Sequence, residues 1–303
     1  MKVEIPDNLK TEVPSSIWGK ILTATPVIMT VIATALAGLS TSEMSRAQYS
    51  RSLAAQQQSK AGDQWAFFQA KRLRGAMQRS TLDVLTATTP VQPLDTSAIN
   101  TGVAKLDDAT QQLVILALTN PRQPSIPPTG PLNHAIQQAL DALNNPDPAM
   151  LATAVAQLDD ATLAQAVVQA RNLASAYDAA MDPVTRGIDS IEQSLHAGDA
   201  NENLKRNFVA ARLAYNAARY DSEAQLNRSI ANLYELQVRR SNRQADRHHA
   251  RSLRFFFGML GAQAAVIVAT FAIAARKRNL LWTLAALAGT AAVAFAIHVY
   301  LFV

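Results

Sequence analysis

Apolar positions follow two rhythms along the chain. Long unbroken apolar runs alternate with stretches in which apolar residues recur every three or four positions. The run from Ile17 to Ser40, "IWGKILTATPVIMTVIATALAGLS", holds one charge, Lys20. About 20 helical residues cross a bilayer core, so the run predicts a first transmembrane helix over 17–40. Lys20 can snorkel to the interface, Trp18 suits headgroup depth, and Pro26 predicts a kink. A cleaved signal peptide fits less well, because Glu4, Asp7 and Glu12 offset Lys2 and Lys10. A second uncharged run, Phe255 to Ala275, predicts a span over 254–275, and a third run predicts one over 280–303, joined by the basic turn "RKRN" at 276–279. Trp282 and Tyr300 bracket the third as interface anchors. In it Ala288, Ala292 and Ala296 recur beside Gly289. That pattern permits close helix packing and equally suits an alanine-rich span with chance spacing.

Between the first and second spans the rhythm is helical. From 41 to 87 there is no proline, and Ala66, Ala70, Leu73, Met77 and Val84 form a stripe with the spacing of a coiled-coil seam. The segment 201–253 lacks both proline and glycine. Its Leu204, Phe208, Ala211, Tyr215 and Ala218 step by four and three, and Ser222, Leu226, Ile230 and Leu233 continue after a stutter. Two amphipathic helices of matched length, each joined to a span, predict an antiparallel hairpin, since neither can leave its apolar stripe in water. Single extended helices in a parallel homo-oligomer are the competing arrangement.

Residues 88–200 are punctuated by Pro90, Pro93, Pro121, Pro124, Pro127, Pro128, Pro131, Pro146, Pro148 and Pro183. Asp147-Pro148 and Asp182-Pro183 both read as an N-cap followed by a first-turn proline. Gly198-Asp199 reads as a stop followed by a new cap. "TGVAKLDDAT" at 101–110 matches "TAVAQLDDAT" at 153–162 in eight of ten positions. A duplicated helical unit follows, each copy beginning a helix, with a small bundle at the tip of the hairpin. Asp107-Asp108 and Asp159-Asp160 could do acid–base work or hold a divalent cation. They equally suit a solvated polar face.

Composition narrows these readings. Of 303 residues, 49% are hydrophobic and 17% charged, fewer charges than a soluble domain of about 25% carries. The absence of cysteine excludes disulfides, thiolate metal sites and cysteine nucleophiles. The net charge is +5, with basic residues beside the apolar runs. That distribution favours membrane lipids over nucleic acid as the partner. Arg240, Arg243, Arg247, Arg251 and Arg254 line one helix face. With Arg276, Lys277 and Arg278 they form a lipid-headgroup set, or an ordinary juxtamembrane collar. Basic residues on both sides leave orientation open. His248 and His249 point about 100° apart on a helix, which argues against a metal site. No phosphate loop, nucleophile elbow or zinc-protease pattern is present. No catalytic, cofactor-binding or metal-binding residue is therefore assigned.

The stretch "SKAGDQWAFFQAKRLR" follows the first span. Its Asp63-Gln64-Trp65-Ala66-Phe67-Phe68-Gln69-Ala70-Lys71 core resembles the bacterial membrane-protein family of domain of unknown function 4337. The resemblance covers roughly 10–87 and 201–303, including the basic turn. It implies a span, an outgoing and a returning helix, and two closing spans, with no established activity. The insert is longer and the run before the second span more basic than the family pattern.

The expectation is an all-α membrane protein: a tail at 1–16, three transmembrane helices, an extramembrane antiparallel coiled-coil hairpin and a small helical tip. The implied location is the bacterial inner membrane. The expected role is a non-enzymatic scaffold or interaction subunit, homo-oligomeric or part of a membrane complex. The interaction residues are Trp65, Phe67, Phe68, Leu226, Ile230 and Leu233. The alternative is an oligomeric channel or transport accessory with Lys20, Gln263 or His298 near a pore. Three aromatics within four residues exceed one two-helix seam, so at least one should meet something beyond the hairpin partner.

Overall fold

The structure, a computed structural model, describes residues 17–104, 106–121, 133–145, 147–197, 201–274 and 278–302. The side chains of Trp18, Lys20, Arg276, Lys277, Arg278, Trp282 and Tyr300, and the Gly198-Asp199 stop, lie outside the described residues. Among those described the chain is helical, with no strand. The helices are α1 (Ile17–Thr88), α2 (Asn100–Val103), α3 (Asp108–Thr119), α4 (His134–Leu143), α5 (Pro148–Gln157), α6 (Asp160–Ala197), α7 (Glu202–Ala274) and α8 (Arg278–Phe302). A 3₁₀ turn, Ser97–Ile99, precedes α2. α1 continues through Pro26 and ends where the Thr89 amide and hydroxyl both donate to the Leu85 carbonyl, just before Pro90.

The chain divides into two units, Met1–Leu53 with Ser241–Val303, and Ala54–Arg240. In the first, the seam of α7 is made of small residues: Phe255, Gly258, Ala262, Ala265, Ala269 and Ala272 are buried at alternating three- and four-residue steps. α8 presents Ala285, Gly289, Ala292 and Val299, and α1 presents Ala33 and Leu36. Small side chains let helix axes approach closely. In α8 the seam thus runs through Gly289, which faces Met29 of α1. Val27, Ile28, Val31, Ile267, Phe271, Leu284, Leu287 and Phe295 face outward. α1 and α7 each contain a stretch long and apolar enough to cross a membrane; the described apolar stretch of α8, Thr283–Val299, is shorter.

In the second unit α7 is covered on two sides. α1 packs on one, antiparallel, with Lys71 on Glu223 and Arg79 on Asp221. α6 packs on another, also antiparallel, with Arg212 on Glu192 and Arg240 on Asp160. The expected tip bundle is corrected here: the 88–200 insert contributes α6 along α7. Phe208 and Tyr215 of α7 join Ile99, Val114, Val184, Ile188 and Ile191 in one core. Ile230 and Leu233 join Ala61, Ile136, Val155 and Leu163 in the other.

The stripe expected to form the α1 seam is also corrected. Leu73, Met77 and Val84 are 63%, 59% and 61% exposed, and Ala66 and Ala70 are exposed with them. The inner face is instead Ala54, Gln57, Ala61, Gln64, Phe68, Lys71, Gly75, Gln78, Leu82 and Leu85, again stepping by three and four. Gly75 explains the choice: a Cβ there would stand 3.1 Å from Asp221 Oδ1 and 3.5 Å from the Ala217 carbonyl oxygen. The backbones approach closely only on this face.

The repeated segments do not simply begin helices. Each ends a short helix and caps the next. Asp107 accepts from the Thr110 amide at 2.9 Å and its hydroxyl at 2.6 Å, and Asp159 accepts from the Thr162 amide at 3.0 Å and its hydroxyl at 3.1 Å. For Asp107 the Thr110 hydroxyl, and for Asp159 the Thr162 amide, is the main cause holding the carboxyl below the ordinary range. Asp147 caps α5 as the sequence predicts, accepting from the Ala149 amide. Asp182-Pro183, in contrast, lies inside α6. Tyr177, Val184, Ile188 and Ile191 form one buried face across the proline, and tertiary packing overrides the local stop signal.

Gly187 carries the docking of α3 on α6. A Cβ there would lie 2.5 Å from Val114 Cγ2 and 3.0 Å from Leu106 Cδ1. Gly187→Ala is expected to destabilise this unit by about 1–3 kcal/mol through overpacking. Gly62→Ala, where nothing stands within 4 Å, is expected to be neutral or stabilising. Thermal unfolding of the two variants checks the contrast; equal effects would contradict it.

Candidate functional site

The polar side chains of the second unit converge on Glu223. Its carboxylate is buried on α7, and α1 brings Lys71 onto it. Arg219, one turn earlier, places its Nε 3.4 Å from Glu223 Oε1. The same guanidinium donates to Thr185 Oγ1 on α6 at 2.8 Å and lies 4.9 Å from the centre of the Tyr220 ring. A buried charge is tolerated only when paired and hydrogen-bonded, and here two cations from two helices meet that need.

Beside this cluster lies a cavity of about 200 Å³. Phe67 and Lys71 of α1, Asp178 of α6, and Glu223, Leu226 and Asn227 of α7 line it. Among the described residues no hydrogen bond or ion pair reaches Asp178. Asp178 is exposed at the cavity mouth; partial desolvation, and then the Glu223 charge, hold its carboxyl above the ordinary carboxylate range against the opposing pull of Lys71 and Arg219. Burial pushes the neighbouring Tyr177 phenol up to about 12, so it keeps its proton at neutral pH. The Asn227 amide nitrogen donates to the Glu223 carbonyl at 2.8 Å.

The expected interaction residues separate. Leu226, Ile230 and Leu233 are buried within the unit. Trp65 stacks edge-on against Phe68, ring centres 5.4 Å apart, and both are half-buried. Phe67 is 54% exposed at the cavity mouth. The expected headgroup set separates too. Arg240 donates to Asp160 Oδ1 at 3.1 Å and to the Ala156 carbonyl at 3.2 Å. Arg243, Arg247 and Arg254 are exposed, and Arg251 is half-buried.

The first unit contains a second polar layer. His248 Nδ1 stands 2.6 Å from Glu43 Oε2, and Arg46 donates to the other carboxylate oxygen at 3.1 Å. The Ser40 hydroxyl donates to the Ser252 carbonyl and the Ser252 hydroxyl to the Ser40 carbonyl, at 2.9 and 2.8 Å. Pattern reading missed Glu43 and Glu223 because their partners come from distant segments. For Glu43 the available signal was a carboxylate at a heptad step of an otherwise small-residue face, with Ser40, Ala47 and Ser50; Glu223 carries no such local signal.

Residues 22–114 match the family model described as Domain of unknown function (DUF4337), in agreement with the resemblance carried by the motif at 63–71. No curated protein and no solved structure matches the chain. Phe67 and Lys71 of the cavity fall within the matched range; Asp178 and Glu223 fall beyond it.

The pH dependence of Asp178 has a definite sign. The folded carboxyl holds its proton to higher pH than the unfolded one. Its stabilising contribution is full below the ordinary carboxylate range and is lost as pH rises through the folded pKa. Asp178→Asn is therefore expected to raise the melting temperature at neutral pH, with the gain shrinking toward pH 3. A gain independent of pH would contradict this assignment.

Proposed function

We propose that the chain is a non-enzymatic integral membrane interaction subunit that self-associates through the outer face of α1 over 66–88. Membrane placement is supported by the two candidate spans and by the outward apolar residues of the first unit. On this reading α8 is a third span, α1 and α7 form the core of an extramembrane hairpin, and the location is the bacterial inner membrane. The basic residues Arg243, Arg247, Arg251 and Arg254, with Arg276, Lys277 and Arg278, meet lipid headgroups.

The observation that carries self-association is the exposed stripe Ala66, Ala70, Leu73, Met77 and Val84, whose spacing is that of a coiled-coil seam. Its occupant is the same stripe of a second copy. Two copies inserted with one topology run their α1 helices in the same direction. In that parallel pairing the flanking positions over 66–88 set Gln69 across from Arg74, Ala76 from Thr81 and Asp83 from Thr88, so no like charges oppose each other there, and the seam ends before Asp63, which would face its own copy one heptad earlier.

A second reading, a channel or transport accessory, draws on one feature. A groove of about 460 Å³ on the first unit is lined by Thr30, Thr34 and Gln263 among small apolar residues. Polar groups at span depth line pathways or glue helices. Ion flux through liposomes containing the purified oligomer favours this reading, and absence of flux disfavours it.

The double variant Leu73→Asp, Met77→Asp tests self-association. Each buried side chain is worth about 1.5–3 kcal/mol, so affinity should fall at least about a hundredfold. Light scattering on the full chain in nanodiscs or detergent should show loss of the dimer at unchanged helicity. An unchanged mass, or a monomeric parent protein, would overturn the proposal.

A further inference from the structure

The cavity beside Glu223 holds more acceptors than the chain itself uses. Glu223 is engaged by Lys71 and Arg219, so neither cation is free for a ligand. Asp178 is exposed at the cavity, has no hydrogen-bond donor among the described residues, and feels the Lys71 and Arg219 charges only at a distance. Asn227 commits its amide nitrogen to the Glu223 carbonyl, which leaves its side-chain oxygen as an acceptor. The exposed acceptors of the site are thus a carboxylate and an amide oxygen. Two apolar surfaces complete it: the Phe67 ring, whose face attracts cations, and Leu226. A cavity of about 200 Å³ limits the occupant to a small molecule. An anion would meet Asp178 and find no uncommitted cation.

We propose that this cavity binds a small organic cation, an alkylammonium whose charged head pairs with Asp178 and the Asn227 oxygen and whose carbon chain lies against Phe67 and Leu226. The role gives the DQWAFFQAK segment two distinct tasks at positions four apart. Phe67 forms a wall for the ligand, and Lys71 neutralises Glu223 so that the second carboxylate can receive it. The site stands independently of self-association through α1.

The test is titration calorimetry and thermal shift on the full chain in nanodiscs, with n-butylammonium chloride as the probe. Butyrate and potassium chloride at matched ionic strength are the comparisons. Saturable butylammonium binding that raises the melting temperature is expected, with neither comparison doing so. Asp178→Asn should weaken binding about tenfold or more, as expected for losing a hydrogen bond to a charged group. Phe67→Leu, which spares the charges, should weaken it about two- to fivefold. The proposal is overturned by non-saturable binding, by equal affinity in Asp178→Asn, by potassium matching butylammonium, or by preferential binding of butyrate.

Discussion

The buried carboxylate of Glu223 sets the terms for the second unit. A charge removed from water must be met by opposite charge and hydrogen bonds at fixed geometry. Lys71 comes from α1 and Arg219 from α7, and Arg219 reaches on to Thr185 of α6. Three helices are tied to one group. Rotating α1 by even one position along its surface would withdraw Lys71 and move Gly75 away from the Ala217 carbonyl, where close approach requires it. Burying α1's most apolar stripe would leave Glu223 without its ammonium. The polar, small-residue face therefore wins the interior, and the apolar stripe is left outside.

That inversion links packing to function. An apolar helix face left outside is what the proposed self-association uses, and the heptad spacing of the stripe sets the shape of the second copy it would meet. The same constraint leaves Asp178 near Glu223 without a donor of its own. Charge satisfaction on one carboxylate thus leaves the apolar stripe of α1 outside and Asp178 at the cavity beside Glu223.

Much of the architecture was legible in the sequence. Apolar runs located the two candidate spans, the absence of proline in 201–253 foretold an uninterrupted helix, and Asp147-Pro148 marked a true cap. What failed did so for physical reasons. Asp182-Pro183 looked like a start, but the buried face through Ile188 and Ile191 carried the helix across it. The α1 stripe looked like a seam because periodicity counts apolar residues, whereas the inner face was chosen by a close backbone approach and by ion pairs to residues about 150 positions away. The cavity needs α1, α6 and α7 at once, so no local pattern could announce it. The sequence did single out Phe67 and Lys71 through their motif, without indicating that they share one site.

The chain contains no cysteine, so single thiols report their surroundings without background. The most direct measurement is a single-cysteine series along α1 in native membranes, comparing Ala61→Cys and Phe68→Cys with Leu73→Cys and Met77→Cys. Leu73→Cys and Met77→Cys should form disulfide-linked dimers under mild oxidation, while Ala61→Cys and Phe68→Cys resist both crosslinking and thiol labelling. Crosslinking at Phe68→Cys with protection at Leu73→Cys would contradict the account, because it would mean that the apolar stripe lies inside and the Glu223-bearing seam does not.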